Sequence, residues 1–213
     1  METFFVFIVS YCIFAPIMKE KIVQITTDLF LNFGFKSITM DDIAEKMGIS
    51  KKTIYTHFSN KASLVEATAL YIFDKISTAI QSIEDRKPNP IEETFEIKEV
   101  ISHFLKGEKT SPEFQLKKYY PKIYAKLDIL KKEKINTCFC ENIQRGINEG
   151  YFRSDINIDF VTKLYYLCIT AIKNDVLFSD DNPNEAMQHY LEYHIRAIAT
   201  EKGLQTLNKL LQK

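Results

Sequence analysis

Two short segments between residues 39 and 57 constrain this chain more than any other feature of its sequence. Thr39 is a good helix N-cap, and Asp42 follows three residues later, where the acid of a capping box belongs. Gly48 ends the helix so predicted, and Ser50 can cap a second one over residues 51–57. Two short helices joined by a glycine turn are the pattern of a helix-turn-helix.

The apolar residues of the same segment fit a small core between the two helices. Ala44 is small enough to let the helices approach. Four larger residues have the spacing of a shared core: Ile43, Met47, Ile49 and Ile54. In a helix-turn-helix, the second helix places its N-terminal residues against base edges in the major groove. We therefore predict that Lys51, Lys52 and Thr53 read bases, because lysine donates to guanine and threonine can donate, accept or touch a thymine methyl.

The charge distribution agrees with one small nucleic-acid surface. The chain carries 28 lysines and arginines against 28 acids, so it has no general basic excess. Residues 50–61, however, contain three lysines, one histidine and no acid. Such a patch in a neutral protein favours local docking on DNA. Tyr55, His57, Thr39 and Lys61 are placed to reach phosphates, Lys61 at a helix start.

Helical patterns continue through the rest of the chain, and we predict an all-α fold. With only 6 glycines and 6 prolines, the sequence is poor in turns. We predict no strand. The first predicted helices cover residues 19–33, 40–47 and 51–57, and a long fourth helix is capped at residue 59 or 60, runs through residue 80 and is broken by residues 85–90. Further helices are predicted over residues 91–105 and 112–120, then a long one after Pro121 that ends at residues 146–150, and finally over residues 157–178, 184–200 and 203–211.

The first 18 residues form an unusually apolar extension. The run is shorter than a membrane span and contains Pro16, and it lacks the basic start of a secretory signal. We predict that Met18 is the functional start, so that residues 1–18 reflect a misassigned one. If the extension is made, we expect it to lengthen the first helix or to pack on apolar surface. Its use as a membrane anchor is a further alternative, although we expect no stable membrane association.

Sites for metals, cofactors and catalysis are not predicted. His103, His189 and His194 are scattered, and His189 and His194 are five apart, a poor spacing for shared zinc binding. The four cysteines contain no C-x-x-C pair, which favours reduced thiols and a cytoplasmic location. An enzyme using a C-terminal cavity is disfavoured, because we find no paired carboxylate, nucleophile or phosphate-binding motif.

Residues 22–72 resemble the N-terminal domain of the TetR family of bacterial repressors. The resemblance rests on Phe-Gly-Phe at 33–35, Ser-Ile-Thr-Met-Asp-Asp-Ile-Ala at 37–44, Gly-Ile-Ser at 48–50, Ile-Tyr-Thr-His-Phe at 54–58, Asn-Lys at 60–61 and Leu64. It implies an all-α protein with a three-helix DNA-binding domain over residues 19–66 and a larger regulatory and dimerisation domain over residues 67–213. With the capping Ser50 added, the predicted contacts to double-stranded operator DNA are Thr39, Ser50, Lys51, Lys52, Thr53, Tyr55, Thr56, His57 and Lys61.

The same resemblance implies a ligand-responsive homodimeric repressor with no cofactor and no enzymatic activity. Dimerisation would use the last two long helices, and residues 157–178 are indeed apolar on more than one side. An unknown small-molecule inducer would bind among the aromatic residues of the C-terminal region. The predicted ligand contacts are Phe104, Tyr120, Tyr124, Phe139 and Tyr165. The alternative is a helix-turn-helix regulator whose C-terminal domain binds a protein partner instead.

Overall fold

The computed structural model describes the backbone of residues 2–105, 112–174, 178 and 182–212. Within these ranges, side chains are described for residues 17–104, 113–173, 178 and 182–212. The described residues form ten helices and no strand, which confirms the predicted all-α fold. They contain one isolated antiparallel bridge, between Phe152 and Ala199.

The helices follow the predicted order, with bounds that differ by a few residues at most ends. The first five are α1 Glu2–Phe33, α2 Met40–Met47, α3 Lys51–His57, α4 Lys61–Arg86 and α5 Pro90–Leu105. The next five are α6 Pro112–Tyr119, α7 Pro121–Asn148, α8 Ile158–Asn174, α9 Pro183–Ile198 and α10 Glu201–Leu211. The apolar extension therefore continues the first helix, as expected if it is made. The predicted end of α8, at residues 175–178, lies almost wholly outside the described residues.

The chain divides into two compact units, and helix α4 contributes to both. The first unit comprises Met1–Lys75 and Leu105–Leu127. Its core gathers α1 to α4 with α6 and the start of α7. Fully or almost fully buried members of that core are Ile22, Phe30, Phe35, Ile43, Ile54, Phe58, Leu64 and Val65, with Leu116 and Leu127 joining from α6 and α7.

The second unit comprises Ile76–Phe104 and Asp128–Lys213. Its core is formed by α5 and by α7 to α10, through Ile91, Phe95, Phe139, Ile143, Phe152, Leu191, Ile195, Ile198 and Leu207. Packing thus assigns α6 and the first residues of α7 to the same unit as the helix-turn-helix. The boundary between residues 66 and 67, which the resemblance implies, stays a prediction.

A polar cluster fixes the loop between α4 and α5 inside the second unit. Glu93, which is 4% exposed, is paired with Arg145 of α7 and accepts a hydrogen bond from Asn142. Arg145 and Asn142 also donate to the carbonyl oxygens of Pro88 and Pro90. A buried carboxylate is costly unless it is paired in this way. The cluster therefore ties the proline loop to α7.

The turn between α7 and α8 is fastened to the junction of α9 and α10. The Thr200 hydroxyl donates to the carbonyl oxygen of Gly150 at 2.7 Å, and the Thr200 N–H donates to that of Tyr151 at 2.9 Å. Arg153 N–H donates to the carbonyl oxygen of Ile198 at 2.9 Å. These hydrogen bonds, together with the bridge between Phe152 and Ala199, form the α7–α10 clamp.

Candidate nucleic-acid interface

The residues predicted to cap α2 and α3 do so in the structure. The hydroxyl oxygen of Thr39 accepts from the Asp42 N–H at 3.2 Å, and an Asp42 carboxylate oxygen accepts from the Thr39 N–H at 2.7 Å. These hydrogen bonds hold the pKa of Asp42 below its ordinary value. Gly48 ends α2 in the left-handed conformation, with φ of 64°. Ser50 caps α3, its hydroxyl accepting from the Thr53 N–H at 3.0 Å.

The core between the two helices consists of the predicted residues. Ile43 and Ile54 are fully buried, and Ala44 is 7% exposed. Met47 and Ile49 pack against this core while remaining partly exposed. Phe58, at the end of α3, is buried as well. Because α3 is seven residues long and has poor stability alone, this packing and its cap hold it in place.

The predicted DNA contacts lie on the surface of the first unit, but several hydroxyl groups are already engaged locally. Those of Ser50 and Thr53 lie 2.8 Å apart. The Thr56 hydroxyl donates to the Thr53 carbonyl oxygen at 2.6 Å. The Thr39 hydroxyl donates to the Asp42 carboxylate at 2.8 Å. A phosphate contact from Thr39 would therefore compete with the cap of α2.

The two lysines that open α3 differ in their surroundings. Lys51 Nζ lies 2.7 Å from Oδ2 of Asp41, the second residue of α2. This hydrogen bond raises the pKa of Lys51. Lys52 is exposed, and the described part of the chain supplies no hydrogen-bond or ion-pair partner for it. The basic patch is thus free of acids along the sequence but not in space.

Lys61, at the start of α4, is held by the turn between α1 and α2. Its ammonium group donates to the carbonyl oxygen of Lys36 at 3.1 Å. Partial burial lowers the pKa of Lys61, an effect that the nearby Asp42 charge opposes. On the other side of the same turn, Gln115 Oε1 of α6 accepts from the Lys36 N–H at 3.2 Å. Lys61 is therefore both a candidate phosphate contact and a brace for this turn.

Tyr55 and His57 complete the surface. Tyr55 is 44% exposed, and His57 is half-buried at the end of α3. Neither side chain has a hydrogen-bond or ion-pair partner among the residues that the structure describes. Both remain available to a phosphate. The structure thus brings all nine predicted residues to α3 or to the two helix starts beside it.

The comparisons with known proteins agree with this geometry. Residues 22–68 match the family model of bacterial regulatory proteins, tetR family. Residues 22–68 are thus a DNA-binding domain of the TetR type. The chain is 28% identical over 170 residues to the HTH-type transcriptional regulator YerO of Bacillus subtilis, covering 66% of this chain and 58% of YerO. It is 26% identical over 150 residues to the HTH-type transcriptional repressor KstR2 of Mycobacterium tuberculosis, covering 67% of this chain and 73% of KstR2.

Solved structures show the same fold. The chain matches a transcriptional regulator from Cytophaga hutchinsonii with a TM-score of 0.68 at 19% identity, covering 85% of this chain and 98% of that one. It matches KstR2 of Mycobacterium tuberculosis with a TM-score of 0.54 at 21% identity, covering 86% and 96%. Both of those proteins are described as transcriptional regulators. No helix among the described residues of this chain has both the length and the apolarity needed to cross a membrane.

The five predicted ligand contacts divide between the two units, with Tyr120 and Tyr124 in the first and Phe104, Phe139 and Tyr165 in the second. Tyr120 and Tyr124 pack on the core of the first unit, and burial raises the pKa of Tyr120. Phe139 and Tyr165 belong to the second unit, where their rings stack with centroids 3.9 Å apart. Phe104 lies edge-on to His103 with centroids 6.2 Å apart. The close stacking of Phe139 on Tyr165 is core packing, and these residues stay predictions as ligand contacts.

A cavity lies elsewhere in the second unit, between α8 and α9. It has a volume of about 470 Å³ and is mostly apolar, with a few polar groups. None of the five predicted aromatic residues lines it. Its lining residues are Cys168, Ala171, Ile172, Phe178, Asn182, Glu185, Ala186, His189 and Tyr190. Sequence reasoning missed this site, because its walls come from the ends of two helices with no shared motif.

His103, His189 and His194 have different surroundings in the structure. His194 is 5% exposed, and burial lowers its pKa to about 4. Its Nδ1 lies 3.2 Å from the hydroxyl of Tyr190, one of the cavity residues. His103 and His189 are exposed. Within the described ranges, no three His, Cys, Asp or Glu side chains converge as a metal site would require.

Proposed function

We propose that this chain is a homodimeric repressor that binds operator DNA through α3 and releases it when a small molecule binds the second unit. The capped α2–α3 pair carries the proposal, because it exposes Lys51 and Lys52 at the start of the helix that such folds place in the major groove. The relative KstR2 is itself a transcriptional repressor. We place the protein in the cytoplasm, where it would meet its DNA.

Helices α8 and α9 pack against each other, and both carry exposed apolar residues that support dimerisation. Phe160, Leu164 and Leu167 are 62%, 39% and 63% exposed. Their spacing of four and three residues places them on one face of α8. Tyr193 of α9 is 72% exposed. Large exposed apolar residues in such a row favour a protein interface, and a second copy would cover them.

Response to a small molecule is supported by the cavity between α8 and α9. Its volume lies within the range of ligand sites, and its walls combine apolar surface with a few polar groups. A solid second unit would have favoured the alternative, in which the C-terminal region binds a protein. For release of DNA, the ligand must bind more tightly to the conformation of the dimer in which the two helix-turn-helix segments do not fit the operator. Coupling between such sites is typically about 1–3 kcal/mol.

A gel-shift assay on the promoter region of the protein's own gene tests the DNA-binding half. Lys51→Ala plus Lys52→Ala should abolish the specific shift. Lys122→Ala plus Lys209→Ala removes two charges from exposed positions of α7 and α10 and should leave it unchanged. Undiminished binding by the first double variant would overturn the assignment of α3 as the recognition helix.

A compound screen for release of that promoter DNA tests the ligand-binding half. Active compounds should also raise the melting temperature, because a ligand that binds the folded state stabilises it. Filling the cavity with Ala171→Trp should remove both effects while DNA binding persists. Compounds that act equally on the filled variant would place the ligand site elsewhere.

A further inference from the structure

The ion pair between Asp41 and Lys51 crosses the turn of the helix-turn-helix. The two residues are ten positions apart, so no turn of a single helix brings them together. Their contact depends on the left-handed Gly48 and on the packing of Ile43 against Ile54, which set α2 beside α3. Both side chains remain at the surface, with exposed fractions of 45% for Lys51 and 69% for Asp41. The pair therefore lies where DNA would dock.

The pair changes what Lys51 offers to DNA. An ammonium group has three N–H donors, and the carboxylate of Asp41 takes one at 2.7 Å. Two donors remain, enough for the O6 and N7 acceptors of a guanine. At the same time, the carboxylate cancels the net charge of the group. Binding to phosphates depends on net charge and on the counterions it releases, whereas base reading depends on directed hydrogen bonds.

Two other lysines remain on this surface, and the ammonium group of one of them is engaged by the protein itself. Lys61 donates to the Lys36 carbonyl oxygen and is partly buried. In the described part of the chain, Lys52 is thus the lysine at the start of α3 whose charge no acid offsets. A start of α3 with one uncompensated lysine gains less from phosphates than a start with two, while the donors of Lys51 remain available to the right base.

We propose that Asp41 is a specificity-determining residue that acts through Lys51, holding its ammonium group and suppressing binding to non-operator DNA. The inference rests on the proposed DNA-binding function. Removing the carboxylate gives Lys51 a free charge for phosphates. Affinity for random DNA therefore rises, affinity for the operator rises less, and discrimination between the two falls.

The test uses the full chain and two duplexes of about 30 base pairs. One has a random sequence, and the other is recovered by repeated selection from a random pool on the wild-type protein. In Asp41→Asn, affinity for the random duplex should rise about fivefold near 0.15 M salt, and the slope of log affinity against log salt should steepen by about 0.9, the value of one added phosphate contact. The ratio of operator to random affinity should fall by severalfold.

Three further variants separate the ion pair from other effects. Glu45→Gln removes the same charge from an exposed site on α2 that forms no ion pair with Lys51, and it should change random-DNA affinity by less than twofold. Asp41→Glu should restore wild-type salt dependence. In a Lys51→Ala background, Asp41→Asn should act no more strongly than Glu45→Gln. Urea melts of each variant confirm that the proteins compared are folded.

The outcomes distinguish this inference from the function on which it rests. If the wild-type protein selects no sequence from the pool, the proposed DNA-binding function fails. If it selects an operator but Asp41→Asn equals Glu45→Gln in salt slope and discrimination, the role of Asp41 is wrong. Weaker random-DNA binding by Asp41→Asn would also overturn it.

Discussion

The side-chain amide of Gln115 lies against Gly34, in the space where any other residue would place its Cβ. Gly34 ends α1 with φ of 88°, a conformation that suits glycine, and Gln115 belongs to α6. From there Gln115 accepts a hydrogen bond from the Lys36 N–H, and the Lys36 carbonyl oxygen accepts one from Lys61. A single side chain of α6 thus supports the turn that holds a candidate phosphate contact.

Gln115→Ala should weaken operator binding by up to about fivefold, because one hydrogen bond is worth about 1 kcal/mol net and its loss loosens the turn that positions Lys61. Fluorescence anisotropy with labelled operator measures the change. Gln24→Ala, which removes an exposed glutamine bonded within α1 to Glu20, is the matched control and should bind normally. Equal affinity of Gln115→Ala and wild type would show that the turn holds without α6.

Gly48→Ala should lower the free energy of unfolding by about 1 kcal/mol, because a Cβ is strained at positive φ. No atom of a residue beyond its two chain neighbours lies within 4 Å of the added Cβ, so the cost is conformational. Gly48→Asn should cost less, since asparagine tolerates this conformation better than alanine. Urea unfolding of both variants tests the order, and an equal or larger loss for asparagine would contradict it.

Leu167→Glu should convert the dimer to a monomer, because it would bury a charge among the apolar residues that a second copy covers. Sedimentation equilibrium measures the mass directly. Ile129→Glu is the matched control: Ile129 is 58% exposed, close to the 63% of Leu167, but lies on α7 and outside the exposed apolar row of α8 and α9. A Leu167→Glu protein that stays dimeric would place the interface on another face.

Stability should fall as the pH is lowered from about 6.5 to about 4, partly through His194. Its folded pKa, about 4, lies below the ordinary value of 6.5, so in this interval the unfolded chain binds a proton that the folded one does not. The contribution is fully present above pH 6.5 and amounts to about 3 kcal/mol at most. It is lost as the pH falls through this interval.

Urea melts at pH 7 and pH 4.5 measure that loss. His194→Leu should show a smaller fall in stability between the two pH values than wild type. His103→Leu removes an exposed histidine and should keep the wild-type difference. If His194→Leu shows the wild-type difference as well, other groups account for it.

Sequence patterns predicted the helices of the helix-turn-helix because the capping and turn residues that mark their ends are close together in the sequence. The cap of Thr39 and Asp42, the turn at Gly48 and the cap at Ser50 each involve residues within three or four positions of one another. Their hydrogen bonds form whenever the backbone takes the helical path, so residue types alone indicate them.

Contacts between distant residues had no such signal. The sequence predicts that Lys51 reads a base, but its ion-pair partner Asp41 is evident only once α2 and α3 have packed. Gln115 meets Lys36 across 79 positions. The predicted ligand contacts, which share only their aromatic side chains, lie in different units for the same reason. Tyr120 packs in one unit and Phe139 in the other. Helical spacing shows that a ring is buried but not which core it packs in.

The α7–α10 clamp sets an order in which the protein can be completed during its synthesis. Thr200 bonds to Gly150 across 50 positions, so the turn after α7 leaves the ribosome well before the residues that fasten it. The residues of α1 to α4 that build the head core emerge first and can collapse early. Until α10 is made, the second unit keeps its apolar core open, and a nascent chain stalled before Thr200 would expose that surface to chaperones and proteases.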